Sequence, residues 1–485
     1  MHSSCCGRYE KVGTRREFLT KSGFGFGGLA LTYLLGKENA FGASLADANR
    51  FNPLGPKTPH FPAKAKNVIF LFMQGGPSHI DTFDPKPVLN RLDGQLLPPS
   101  FQAQGLDLQF IKASEAKLMG TRFPFKKYGK SGLEISDVFV NIAQHADELA
   151  VIRSCYHDSF AHSPALNILH SGSVRLGHPS VGSWVLYGLG AETDNLPAYI
   201  VMSDGGDLRA GKSAFASGFL PAAYQGTMVQ IDGAPFENLN PPPQIDQTQQ
   251  RIILDQVNKW NRRHLEDSRN EDTRLAARIA NYELAFRMQM AAPELIDTSK
   301  EPEHVKKMYG LDQETTKKFG RMCLLARRMV ERGVRFVQLY NMDWDGHAEC
   351  EKNHQKNAWK IDKPISGLVG DLKQRGLLES TLIVWTGEFG RTPVMQGKQG
   401  RDHNPYGFCT WMAGGGIRGG KVIGATDELG FRAVEDKVHV NDLHATMLWL
   451  LGLDHKKLTY SFQGRDQRLT DVGGENNLAE RLLRV

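Results

Sequence analysis

The chain carries one pattern three times: an apolar run that stops at a polar, glycine-bearing loop. Asn67 to Met73 is unbroken apolar sequence after its first residue, the signature of a strand buried on both faces of a parallel sheet. It empties into Gln74-Gly75-Gly76-Pro77-Ser78-His79. Further on, Gln313 to Arg332 reads as an amphipathic helix stopped by Gly333, and the strand Val334 to Tyr340 opens into Asn341-Met342-Asp343-Trp344-Asp345-Gly346-His347. Asn353 to Arg375 is mostly helical and ends at Gly376. Strand Thr381 to Thr386 then opens into Gly387-Glu388-Phe389-Gly390-Arg391-Thr392. Phe408 to Ala413 is a further strand and Val440 to Leu451 a closing helix. Alternation of this kind predicts an α/β fold, doubly wound, with a mostly parallel sheet and helices on both faces. Sites in such sheets form beyond the carboxyl ends of the strands, so the three loops are the places to search.

The α/β domain is expected over 65–472, after a linker at 44–64 and before a C-terminal tail at 473–485. A proline-rich break at 235–243 precedes one or two long charged helices, read as a helical insertion at 244–292.

At 485 residues, 40% apolar and 23% charged, the chain has enough material for a large core. Its formal charge is +6, and half of that excess sits in the first 43 residues; the rest is spread without a basic run. Nucleic acid is therefore not an expected partner.

That basic start has its own meaning. Thr14-Arg15-Arg16-Glu17-Phe18-Leu19-Thr20-Lys21 reads as a twin-arginine export signal, followed by a glycine-rich apolar segment from Ser22 to Gly36 and small residues at Ala40, Gly42 and Ala43. The segment is short and glycine-rich for a membrane span, which needs about 20 apolar residues. The expectation is a signal peptide at 1–43, passage through the twin-arginine translocase, and residence in the periplasm or cell envelope. A retained segment acting as an anchor is the alternative. That route carries folded cargo, so Cys155, Cys323, Cys350 and Cys409 are expected as free, mostly buried thiols.

Four polar clusters lie at strand ends or helix starts: His79 with Asp81 and Asp84; His157-Asp158 with His162-Ser163; Asp343, Asp345 and His347; and Glu388 and Arg391 with Arg401-Asp402-His403-Asn404. Imidazole nitrogen mixed with carboxylate oxygen is the donor set that borderline divalent ions accept. Paired metal ions can clamp both oxygens of a phosphoryl or sulfuryl transfer, and an arginine such as Arg391 can neutralise the remaining ester oxygens. Candidate metal ligands are His79, Asp81, Asp343, Asp345, His347, Glu388 and His403; candidate catalytic groups are His162, His157, Ser163 and Arg391. Zinc, manganese, calcium and magnesium all remain open as the divalent ion.

The segments Asn67 to Lys86, Trp344-Asp345-Gly346-His347 and Thr386-Gly387-Glu388-Phe389-Gly390-Arg391-Thr392-Pro393 resemble the bacterial family called domain of unknown function 1501, over roughly Ala65 to Val472. Its members are typically twin-arginine exported and are grouped with sulfatases and alkaline phosphatases. The resemblance implies a metal centre built from an Asp after the first strand, an Asp-x-x-x-His, an Asp-His pair and a final His. Asp343 and His347 fit the second element, with Asp345 the acid of the family's own Trp-Asp-x-His pattern, and His403 fits the last. Departures stand beside these matches. Gln74 occupies the first acid's place, Glu388-Phe389 replaces the Asp-His pair, and His162 and Leu166 replace the Cys and Arg of the sulfatase signature. Formylglycine chemistry is thereby not expected.

Two mechanisms fit the residues: direct attack by an activated water with His162 or His157 as acid or base, or covalent catalysis by His162 or Ser163. The first is favoured, because no base for Ser163 is readable. The function expected is an exported, metal-dependent hydrolase of sulfate or phosphate esters, acting on a small molecule or a polysaccharide. A non-catalytic glycan- or anion-binding protein on the same scaffold is the alternative. Oligomeric state is not legible.

Overall fold

A computed structural model describes residues 53–102, 108, 112–205, 208–232, 244–267, 273–475 and 478–483. The export signal at 1–43 and the break at 235–243 lie outside the described residues. Nine strands form one sheet: β1 (Asn67–Met73), β2 (Ala150–Tyr156), β3 (Tyr199–Ser203), β4 (Thr227–Met228), β5 (Phe336–Asn341), β6 (Thr381–Thr386), β7 (Phe408–Gly414), β8 (Lys421–Ile423) and β9 (Val438–His439). Their order across the sheet is β8-β2-β7-β6-β1-β5-β3-β4, with β9 also pairing β2. The helices used below are α1 (His162–Ser171), α2 (Val181–Leu189), α3 (Gln247–Asp267), α4 (Thr273–Ile296), α5 (Glu314–Glu331), α6 (Cys350–Gln374) and α7 (Val440–Leu450).

β1 is the central strand, parallel to both β5 and β6. Its side chains divide by the two-residue period of a strand. Ile69, Leu71 and Met73 join a core that includes Phe319 and Met322 of α5 and Ile361 and Ile365 of α6. Val68, Phe70 and Phe72 join another with Leu166 of α1, Trp184 of α2 and Leu448 of α7. Helices thus cover both faces, which is why the apolar run is continuous rather than alternating. The fold class expected from the sequence is the one found.

One strand runs against the rest. β7 is antiparallel to both β6 and β2. From Thr386 the chain makes a hairpin, Gly390–Gln396 with Gly400–Asn404, and returns directly along β6. A parallel return would need a crossover helix, and the chain has none there.

The C-terminal segment is not a free tail. Leu478, Ala479 and Leu482 are buried in the second core, because α7 presents an apolar face that they cover. Residues from Leu54 onward, expected within a linker, are hydrogen bonded too: Ala191 N–H donates to Leu54 O at 2.7 Å, and Lys57 and Lys64 N–H donate to Leu189 O and Leu450 O. Cys155, Cys323, Cys350 and Cys409 are free and buried. Among the described residues, no helix is long and apolar enough to cross a membrane.

Candidate metal centre

The loops after β1, β2, β3, β5 and β6 all leave the sheet at its carboxyl edge. Because β7 runs backwards, the hairpin that precedes it reaches that edge as well. His403 therefore arrives from the amino end of a strand at the place where the other candidates leave carboxyl ends.

His162, Asp345, His347 and His403 meet there, each offering a ligand atom within 4.8 Å of the others. His162 Nε2 lies 3.1 Å from Asp345 Oδ2, while His347 Nε2 and His403 Nε2 lie 3.1 and 3.5 Å from Oδ1. Every one of these imidazoles has its other nitrogen occupied. His162 Nδ1–H donates to Glu388 Oε1 at 2.6 Å, His347 Nδ1–H to Gln396 Oε1 at 2.5 Å, and His403 Nδ1–H to the Phe160 carbonyl at 2.7 Å. Fixing the proton on Nδ1 leaves the Nε2 lone pair facing the cluster. His347 Nε2 and His403 Nε2 are only 2.9 Å apart. Two lone pairs at that distance, beside a carboxylate, repel unless positive charge lies between them. A shared proton supplies it in one arrangement, and a divalent cation supplies it in the other. The donor set, three imidazoles and one carboxylate with their outer hydrogen bonds in place, fits a metal ion.

The local electrostatics agree. In the absence of a cation, burial works to raise the Asp345 pKa, but hydrogen bonds from the three histidines in their protonated form and the Arg391 charge outweigh it and hold the carboxyl well below its usual range. The Asp345 hydrogen bond raises His347, whereas burial lowers His403. Against its burial, hydrogen bonds with Asp345 and Glu388 also raise His162, so the cluster draws positive charge, which a cation would supply.

Asp345 is positioned by its neighbours. Trp344 is fully buried, its indole N–H donating to Asn341 Oδ1 at 2.6 Å and its backbone N–H to Gln74 O at 3.0 Å. Gly75 (φ +120°) packs against this turn so closely that a Cβ would sit 2.5 Å from Asp345 N. Phe389, in the place of the expected histidine, stacks on His403 at 4.3 Å and also faces His162, forming an apolar wall.

Several sequence candidates take other places. His79 is buried with Nε2 on the Gly430 carbonyl at 2.9 Å, and Asp81 is buried in an ion pair with Arg401 at 2.8 Å; neither belongs to the ligand group. They leave the sheet on a helical turn that points into the protein, so the expectation that they replace a missing first acid is corrected. Glu388, expected as a ligand, is fully buried and orients the ligands instead. Both its oxygens accept from Gly75 N–H, at 2.8 and 3.0 Å, and one accepts from His162. Asp343 is exposed, with φ +75°, and its carboxylate is outside the ligand group; Asp345 is the acid used.

The catalytic candidates shift likewise. His157 is fully buried, donates from Nε2 to the Glu388 carbonyl at 2.5 Å and is pushed down to about 4 by burial, so no substrate proton reaches it. His162 sits in the ligand group with both nitrogens engaged. Arg391 is fully buried, donating to Gly76 O, Gly75 O, Arg401 O and Asp345 Oδ1; it clamps the β1 loop and balances Asp345 rather than facing an ester. Ser163 is exposed at the start of α1, its hydroxyl donating to Arg209 O at 3.3 Å.

The sequence reading missed Arg209 and Gln396. Arg209 Nη2 donates to Asp345 Oδ2 at 2.9 Å from a partly exposed side chain. It follows β3, whose end is marked by Asp204-Gly205-Gly206, the same strand-to-glycine signal that flagged the other loops. A cavity of about 480 Å³ opens beside the cluster, lined by Phe160, Ala161, His162, His347, Asp402 and His403 among others.

Fold and site together define a doubly wound α/β protein with a three-histidine, one-aspartate group at the carboxyl edge of its sheet. The chain belongs to the family described as Protein of unknown function (DUF1501), which matches residues 65–482. No curated protein matches it in sequence. Among solved structures it is similar to the PsFucS1 sulfatase from Pseudoalteromonas sp., at 14% identity over 90% of this chain and 75% of that one, with a TM-score of 0.34. It is also similar to a phosphonate monoester hydrolase from Silicibacter pomeroyi, at 12% identity over 82% and 75%, TM-score 0.34. A mutant TAB5 alkaline phosphatase with magnesium bound matches at 10% identity over 81% and 99%, TM-score 0.33.

Proposed function

We propose that the protein is an exported, metal-dependent hydrolase of sulfate or phosphate esters, with one divalent cation held by His162, Asp345, His347 and His403. A single observation carries the reading: three imidazoles with their Nδ1 positions occupied turn their Nε2 atoms on one carboxylate. Three nitrogens and one oxygen suit zinc or manganese, whereas calcium and magnesium prefer oxygen donors. A cation bound there supplies Lewis-acid polarisation of an ester oxygen.

The rest of the work falls to the chain. Arg209 is the cation at the site with an accessible side chain, and it is placed to pair with ester oxygens. The start of α1 lines the same cavity with no side chain capping it, so the positive end of the helix favours an anion. Because Ser163 rests on a carbonyl rather than on a base, direct attack by water is the preferred route. Export rests on Arg15 and Arg16 within the leader sequence.

Metal analysis of native protein, followed by assays on aryl sulfate and aryl phosphate, tests the proposal. About one transition-metal ion per chain is expected, lost in His347→Ala and in His403→Ala. Protein without stoichiometric metal and without turnover under any added divalent ion would sink it. The sequestered Arg391 and the unactivated Ser163 favour a second reading, a glycan- or anion-binding protein. Glycan affinity that survives His347→Ala and His403→Ala, in a native protein without turnover, would select that reading. For export, Arg15→Lys with Arg16→Lys should leave the protein in the cytoplasm on fractionation; unchanged export would refute the twin-arginine assignment.

A further inference from the structure

A larger cleft, of about 730 Å³, is lined by Arg209 and shares no lining residue with the small cavity. Gln74 and Arg209 line it, and Gln74 Oε1 accepts from Arg209 N–H at 3.1 Å. Since Arg209 also holds Asp345, the cleft and the metal-ligand group share a wall. Its far side is built by α5 and α6. Lys356, Trp359 and Lys360 stand at positions i, i+3 and i+4 of α6, so they share one helix face, and Lys318 of α5 lines the cleft as well.

Trp359 is 60% exposed. An indole left open on the wall of a cavity, with no partner ring among the described residues, is a platform for a flat apolar face. The groups around it are mixed: ammonium donors on Lys318, Lys356 and Lys360, and carboxylate acceptors on Asp204 and Asp343. Pyranose rings have that double character, with C–H groups on one face and hydroxyls around the rim. Arg209 and Lys318 are already paired with Asp345 and Asp232, whereas Lys356 and Lys360 stand beside Trp359 on the same helix face, so a negatively charged substituent is favoured at that end of the cleft. The cleft volume falls within the range of about 300–1,000 Å³ typical of small-ligand sites.

We propose that this cleft binds an acidic saccharide, stacked on Trp359 with its anionic group on Lys356 and Lys360, and delivers its ester past Arg209 to the metal-ligand group. The delivery step rests on the hydrolase reading; the binding step does not.

Calorimetric titration of the full chain with galactose 6-sulfate, glucuronic acid and neutral galactose separates the two. Native protein should bind both charged sugars and prefer them to galactose by tenfold or more. Trp359→Ala should weaken all binding at least tenfold, and Lys356→Gln with Lys360→Gln should remove the preference for charge. Both sites lie on the surface of α6, so far-UV circular dichroism and metal content should match the native protein. Failure of the native protein to bind the charged sugars, equal affinity for galactose, or variants within twofold of native would overturn the proposal. Binding that behaves as expected in a protein without esterase activity would uphold the cleft and remove only the hydrolase reading.

Discussion

Asp81→Asn separates a residue that builds the site from one that acts in it. Asp81 and Arg401 are both fully buried, and the guanidinium meets the carboxylate twice, Nε to Oδ2 at 2.8 Å and Nη2 to Oδ1 at 3.2 Å. The remaining Arg401 donors reach Met119 O, Thr392 O and Gly120 O. Asparagine keeps one acceptor, loses the charge and sets an N–H group against a guanidinium. The positive charge then stays buried without its counter-ion. Breaking such a pair from one side costs about 3–5 kcal/mol. Against a typical total of about 5–15 kcal/mol, that is a large part of the margin.

Urea denaturation, followed by intrinsic fluorescence, reads the loss as a lower midpoint at unchanged slope. Metal content of the folded fraction reads the site. The expected result is a much lower midpoint with metal still bound, because Asp81 is not among the ligands. An Asp81→Asn protein with a native midpoint and no metal would return Asp81 to the ligand set and refute the reasoning. His347→Ala is the matched control, since it should lose the metal while its fold persists in metal-free buffer.

Three other outcomes follow from the structure. Burial pushes Asp204 up to about 6, so between the unfolded carboxyl's 3.8 and that value the folded chain keeps a proton that the unfolded chain releases. Stability should therefore fall as pH rises through that window, by roughly 3 kcal/mol, and the fall should vanish in Asp204→Asn; equal pH slopes in urea midpoints would contradict it. Gly75→Ala puts a Cβ 2.5 Å from Asp345 N at φ +120° and should cost at least about 1–3 kcal/mol together with the metal; a folded, metal-replete alanine variant would show that the turn is not tight. Native protein should leave Cys155, Cys323, Cys350 and Cys409 unlabelled by a thiol reagent, since burial raises all of these thiols and takes Cys155 and Cys350 to about 12; all should label after denaturation, and a shortfall would reveal a disulfide.

The strands that announced themselves in the sequence are the ones buried on both faces. β1, β5, β6 and β7 read as mostly apolar runs, without a charged residue, because helices or neighbours cover each side. β2 did not, since Arg153 interrupts it; the structure turns that side chain to the Phe83 carbonyl and to Asp84. β3 was short enough to be lost among loops, and Arg209 was missed with it. The antiparallel course of β7 was equally hidden. Direction depends on whether a crossover intervenes, and the Gly390–Asn404 stretch could be read as a loop as easily as a hairpin.

Residue type was a weaker guide to role than position was to place. Charged and imidazole side chains gather at every strand end, but the sequence does not say whether each pays its desolvation to hold a loop or to meet a ligand. Exposure separates them. Asp81, Glu388, Arg391 and Arg401 are at 0%, with their hydrogen-bonding groups turned on backbone, on one another or on the back of a ligand residue, whereas the Asp345 side chain is at 20% and His347 at 36%. A fully buried ion that is already paired gains little from a new partner and would have to break hydrogen bonds to meet one. A half-open carboxylate ringed by imidazole nitrogens still has a side from which charge can enter. The builders are thus what let the ligands be few. Arg391 ties Asp345 to the β1 loop, Glu388 ties His162 to the same loop, and the Asp81–Arg401 pair seats the hairpin that carries His403. Removing a builder should therefore show first in stability, and removing a ligand first in metal.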